Sequence, residues 1–207
     1  MLISILIPSI SERSETFKKL QDGLYTQIKD NNLEKKVEII SICDNRTIPL
    51  VEKRNVLQKL SSGKYFTHLD DDDNFSDDYC IKCVSAIENL TEDCDIITYD
   101  QKCFVNDEIF IVTPNLMSNF DLNPDFQKYN LKTFERYPWQ YHLFHKRFKE
   151  IYRTDSDSPD KINKPAMFDD LNWLKKIKLE YPTSVYHIDF IGHVYHFENG
   201  IEGSSTQ

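Results

Sequence analysis

Positive charge is in short supply in this chain of 207 residues: 25 Lys and Arg face 34 Asp and Glu, a formal net charge of -9. Nucleic-acid binding depends on clustered Lys and Arg against phosphate, so that class of partner is disfavoured. An anionic small ligand would need a metal or a local basic group to offset the field. No apolar run approaches the length of a membrane span. Residues 1–7 are apolar but lack a basic n-region and a cleavage site, which argues against a signal peptide. The five cysteines are odd in number and scattered, as suits a reducing, cytoplasmic compartment. Cys80 and Cys83 have no second pair to complete a zinc site and read as one helix face. In that compartment the sequons at Asn45 and Asn89 carry no meaning.

Two glycine signatures are also missing. No Gly-x-Gly-x-x-Gly follows the first apolar run, and there is no Gly-Lys-Ser/Thr. Dinucleotide oxidoreductases and P-loop enzymes are therefore disfavoured. Any nucleotide bound here would need a metal, not a glycine loop, at its phosphates.

What remains is a chain with 40% hydrophobic and 13% aromatic residues, enough for one substantial core and one domain. Residues 2–7 and 37–43 are apolar, β-branched runs that read as buried parallel strands. Between them Phe17, Leu20, Leu24 and Ile28 mark a helix face, with Ser11 or Ser14 as its cap. A helix over 49–60 and a third strand follow, giving a βαβαβ nucleotide-binding half of the Rossmann-like α/β class. Next come a helix over 77–90, a strand at 95–99, a hairpin of 102–105 with 109–112, and an aromatic, basic segment at 138–151 read as partly helical. Asp169-Asp170 opens a helix to about 179, and short strands at 185–191 and 194–197 close the fold. Residues 113–137 and 153–165 show no pattern and read as long loops, the first functional or mobile and the second flexible.

The third strand ends in Asp70-Asp71-Asp72-Asp73. In open α/β sheets, ligands bind outside the carboxyl ends of the strands. Carboxylates this close repel one another unless a hard cation sits among them, and Mg²⁺ or Mn²⁺ accepts one or two carboxylates plus phosphate oxygens. A solvated acidic turn before a helix start is the competing reading. An EF-hand is not: counting from Asp70, its Gly and Glu positions hold Phe75 and Ile81.

Taken in order, several segments resemble the motifs of family 2 glycosyltransferases. Leu2 to Ser9 resembles the family's opening strand, and residues 37–45 its second, which ends in an acidic pair. Glu52-Lys53-Arg54-Asn55 resembles an Ala-Arg-Asn helix, and residues 62–73 are similar to Gly-x-Tyr-x-x-x-Leu-Asp-x-Asp-Asp. Residues 138–147 look like the aromatic-basic middle segment, and Phe168-Asp169-Asp170-Leu171 like a Glu-Asp motif. Tyr195-His196-Phe197 with Gly203-Ser204-Ser205 resembles the C-terminal Tyr-x-Tyr segment. Two departures stand out: only Asp44 remains of the acidic pair, and Asp169 replaces the longer Glu.

The resemblance implies a GT-A fold: a Rossmann-like, mostly parallel sheet flanked by helices, with a smaller acceptor-side subregion. It implies one domain over 1–207, with a nucleotide-sugar half (1–100) and an acceptor and catalytic-base half (101–207). The implied activity is inverting transfer of a sugar, hexosyltransferase-like, from a nucleotide-diphosphate donor, a UDP-sugar in the first instance, to a glycan or glycoconjugate. The implied cofactor is Mn²⁺ or Mg²⁺. By the same resemblance Pro8, Ser9 and Asp44 line the nucleobase site and Arg54 contacts the nucleotide. Asp70 and Asp71 lie on the donor, Asp72 ligates the metal, His196 (or His193) completes its shell, and Asp170 is the base beside Asp169. Trp139 forms an acceptor wall. Plainer roles stand beside these: a solvated helix residue for Arg54, a helix-start acid for Asp170, a core aromatic for Trp139. Another nucleotide-sugar or nucleotidyl transferase, or a binding module without catalysis, are the alternative functions.

Overall fold

The computed structural model describes residues 1–105, 108–118, 133–154, 167–180, 182 and 184–197. Its first half is β1 (Ile3–Ile10), a 3-10 turn (Ser11–Arg13), α1 (Ser14–Asp30), β2 (Val37–Asp44), α2 (Leu50–Leu60) and β3 (Tyr65–His68). After these come β4 (Asn74–Phe75), α3 (Tyr79–Asn89), β5 (Ile96–Val105), β6 (Glu108–Pro114), β7 (Thr133–Arg136), β8 (Leu143–His145), α4 (Met167–Leu179) and β9 (Val185–Phe197). All eight residues of β1 are buried. That is the burial expected of a strand covered on both faces.

β1 lies between β2 and β3 and runs parallel to both, so all three carboxyl ends meet at one edge. The sheet continues through β8, β5, β6 and β7, with β9 joining β5 and β4. β8 is antiparallel to both β3 and β5 and welds the two halves together. Side chains alternate across β1. Ile3, Ile5 and Ile7 enter a core with Leu24 and Ile28 of α1 and Val84 and Ile87 of α3. On the other face Leu6 joins Leu57 of α2 and Trp173, Leu174 and Ile177 of α4. Cys80 and Cys83 lie on the buried face of α3, where burial pushes the Cys80 thiol up to about 12.

Several expectations are corrected. No serine caps α1: Arg13 precedes its first residue, and the Ser11 hydroxyl turns to the Asp44 carbonyl instead. The segment at 138–151 forms β8 and a 3-10 turn (Lys146–Phe148), not a longer helix, because Leu143 and Phe144 are buried between two strands. A strand, β7, pairs in parallel with β6 inside the stretch read as a loop. The two pairs of short strands are single long strands, β5 and β9, paired across a bulge at Tyr99, Asp100 and Gln101. The polar break that looks like a strand end is the bulge itself.

Gly63 turns the chain into β3. A Cβ there would lie 2.6 Å from the backbone nitrogen of Ser4 and 2.6 Å from the carbonyl oxygen of Tyr65. Both are atoms of the central strands and cannot swing aside. Gly63→Ala should therefore cost about 1–3 kcal/mol, the usual cost of overpacking. A thermal melt checks this, and an unchanged midpoint would contradict the close approach.

Candidate active site

The acidic run is a closed turn at the carboxyl edge of β1, β2 and β3, and its four carboxylates divide into two kinds. Asp73 Oδ2 accepts from the Asp70 amide (2.7 Å), and the Asp73 amide donates back to the Asp70 carbonyl (3.1 Å). Asp71 is 2% exposed and accepts from Ser9 Oγ at 2.7 Å and Arg13 Nη1 at 2.9 Å. Asp71 and Asp73 thus build the turn. Asp70 and Asp72 are presented to solvent, with side chains 37% and 33% exposed. Arg13 also reaches Asp72 Oδ2, at 3.3 Å.

Asp73 Oδ1 pairs with His193 Nε2 at 2.9 Å. The other ring nitrogen of His193 accepts from Gln101 Nε2 at 2.8 Å, and the ring stacks on Tyr141 with centroids 4.2 Å apart. Burial raises the Asp73 carboxyl, with the hydrogen bond from His193 opposing it. The bulge in β5 and β9 is what sets Gln101 opposite His193. His193 is thus the C-terminal histidine seen to meet the acidic turn among the described side chains. The side chains of His196 and Asp169 lie outside the described residues, as do Gly203, Ser204 and Ser205.

Arg54 is 1% exposed and joins the acidic turn to α4. Its Nη2 donates to Asp70 Oδ1 (2.6 Å) and its Nη1 to Asp170 Oδ1 (2.7 Å). Arg153 Nη2 donates to the same Asp170 oxygen (3.4 Å) and to Gln140 Oε1 (3.1 Å), while Gln140 Nε2 donates to Asp70 Oδ2 (3.2 Å). The five side chains close a ring of two cations, two carboxylates and one amide. Arg54 is thus not a solvated helix residue, and its contacts are with carboxylates.

Asp44 Oδ2 accepts from Thr47 N (2.6 Å), Thr47 Oγ1 (2.8 Å) and Ile48 N (2.7 Å), and Oδ1 pairs with Lys53. The Lys53 hydrogen bond, first among several, holds this carboxyl well below the usual carboxylate range. Asp44 therefore clasps the turn between β2 and α2. Lys53 in turn donates to the Ser9 carbonyl at 2.7 Å, tying Asp44 to the acidic turn through β1. Pro8 is buried in β1 opposite Ile42. Trp139 is half-buried, packs against both core clusters and carries the Arg136 guanidinium 4.7 Å above its ring.

Among the described residues no group of three or more His, Cys, Asp and Glu is placed to hold a metal. Among the described residues, the carboxylates presented to a cation are Asp72 and Asp70. A hard divalent cation that draws its other ligands from phosphate and water fits such a donor set. Arg13, Lys53 and Arg54 supply the local positive charge that the whole chain lacks.

Gln140, Arg153 and His68 were not legible as site residues. Gln140 sits in the segment read as aromatic and basic, and Arg153 opens a stretch read as flexible. Only His68, a polar residue in an apolar strand beside the acidic run, left a signal.

Fold and site together define an α/β protein with an acidic turn at the carboxyl edge of a parallel β2-β1-β3 unit and a second carboxylate, Asp170, tied to it. The same fold occurs in S. aureus TarS. The structure of its residues 1–349 in complex with UDP has a TM-score of 0.63 and 14% identity, covering 95% of this chain and 61% of that one. The complex with UDP-GlcNAc gives 0.58 and 15%, covering 97% and 60%. The structure titled simply S. aureus TarS gives 0.60 and 13%, covering 95% and 37%. This chain thus spans about three-fifths of the 1–349 structures. No family model matches the chain, and no curated protein does. No helix among the described residues is long and apolar enough to cross a membrane.

Proposed function

We propose that this chain is a metal-dependent, inverting glycosyltransferase of the family 2 type that uses a nucleotide-diphosphate sugar, with UDP-sugars the first choice. One observation carries the reading. The acidic turn presents Asp70 and Asp72 at the carboxyl edge, and a buried arginine joins it to Asp170 on another element. The shared fold with structures solved with UDP and UDP-GlcNAc supports the choice of donor.

Asp72, with Asp70 beside it, would hold Mn²⁺ or Mg²⁺ together with the donor's phosphates. When bound, that cation neutralises charge on the departing diphosphate. Asp170 acts as general base: it takes the proton of an acceptor hydroxyl as that oxygen bonds to the anomeric carbon. The bond to the diphosphate breaks on the opposite face, and the proton ends on Asp170. Arg54 and Arg153 orient its carboxylate. Pro8 and Ser9 border the nucleobase side, with Asp44 shaping the turn next to it. Trp139 and Arg136 face a glycan or glycoconjugate acceptor. The five free thiols support a reducing, cytoplasmic setting.

Product analysis tests the reading. Turnover with UDP-GlcNAc or another nucleotide sugar should release a nucleoside diphosphate, whereas a nucleotidyl transferase would leave it intact and instead release pyrophosphate from a nucleoside triphosphate and a sugar 1-phosphate. Asp72→Ala should abolish metal-dependent donor binding, read by titration calorimetry with and without Mn²⁺. Equal donor affinity in Asp72→Ala and the parent protein would remove Asp72 from the metal site.

A further inference from the structure

We propose that Arg153 is a positioning residue for the transfer reaction. From inside the fold it holds Asp170 directly and Asp70 through Gln140, so that the base and the donor-side carboxylate are set as one unit. The proposal rests on the reading of Asp170 as the base.

Arg153 is held at its backbone, at its guanidinium face and at both Nη atoms. Its backbone amide donates to Asn55 Oδ1 (2.9 Å) and its carbonyl accepts from Asn55 Nδ2 (2.9 Å), pinning the chain to α2. Its guanidinium lies 4.3 Å from the Trp173 ring of α4. Nη1 meets His68 Nε2 at 3.2 Å. Burial, with the charges of Arg153 and Arg54 adding to it, keeps the His68 pKa well below its ordinary value, so this contact is to a neutral ring. Gln58 Nε2 donates to the carbonyls of Lys149 (2.7 Å) and Ile151 (2.9 Å), fixing the chain that leads to Arg153. A side chain gripped at its backbone, face and edge has one orientation, which is what a supporting residue needs. Nη2 then serves two acceptors, Gln140 Oε1 and Asp170 Oδ1. Lysine cannot reproduce that fork.

The two arms should separate in steady-state kinetics. Arg153→Lys loses the fork to both acceptors: it should lower kcat about 10²-fold, the effect of a base misplaced by roughly 1 Å, and raise the donor KM no more than Gln140→Met does. Gln140→Met cuts only the arm to Asp70 and should raise the donor KM about tenfold, as for one hydrogen bond to a charged group, while kcat is largely kept. A merely structural role would lower kcat along with raising KM in Gln140→Met, with both variants losing activity in step with melting temperature, and would overturn the proposal. If Arg153→Lys does not fold, Gln140→Met decides: a donor KM unchanged from the parent overturns it. Asp170→Asn belongs in the same assay. An inactive Asp170→Asn beside a fully active Arg153→Lys overturns the positioning role alone, whereas a fully active Asp170→Asn overturns the base reading beneath it.

Discussion

Asp170→Asn should lower the rate of sugar transfer by roughly 10²–10⁴-fold, the span attributed to a positioned general base, while donor affinity stays within a few-fold. The amide keeps an oxygen toward Arg54 and Arg153, so the ring of side chains can still close. What it loses is the basic oxygen that receives the acceptor proton. The loss should therefore fall on kcat, with donor binding by calorimetry preserved. An Asp170→Asn enzyme with ordinary turnover would leave Asp170 as an acid at the start of a helix and nothing more.

Arg54→Met should give the largest loss of stability of any single exchange at the site. Arg54 is 1% exposed and donates to Asp70 and to Asp170, itself 5% exposed. Methionine fills much of the volume but leaves the carboxylates short of a cation. Breaking a buried pair from one side costs about 3–5 kcal/mol, or roughly 6–20 °C of melting temperature for a domain of this size. Scanning calorimetry reads it directly. The Lys18–Asp22 pair on α1 provides the contrast, since its side chains are 72% and 63% exposed. Lys18→Met should cost no more than about 0.5 kcal/mol, as for helix-surface pairs. Equal losses in the two variants would deny Arg54 its bridging role.

Much of this site could be read from the chain, because its first half announces itself locally. β1, β2 and β3 are apolar runs that stop in Ser9, Asp44 and the Asp70–Asp73 carboxylates, and parallel strands bring such ends to one edge. The roles within that edge were not local. Four adjacent carboxylates look alike in sequence, but pleat and turn send Asp71 and Asp73 inward and leave Asp70 and Asp72 outward. Asp44 reads in sequence as one more acidic strand end, and its bonds to Thr47, Ile48 and Lys53, which clasp the turn, depend on residues whose approach no local pattern marks.

Arg153 and Gln140 were out of reach for a different reason. Their partners lie 17 and 70 residues away in sequence, and no periodicity marks a side chain whose role depends on distant segments meeting. The bulge in β5 and β9 misled in the same way. Asp100 and Gln101 look like a strand end until His193 is placed opposite Gln101.

Binding of a nucleotide-diphosphate sugar at the acidic edge through a divalent cation can be read from a thermal-shift panel of UDP-, GDP-, CMP- and dTDP-sugars, each with and without Mn²⁺. A ligand that binds only the folded state raises the melting temperature by mass action. A shift is expected for one nucleotide, UDP first, and only when Mn²⁺ is present. A folded sample that shifts with none of them would rule out a donor site here and point to a binding module that has kept the fold without the chemistry.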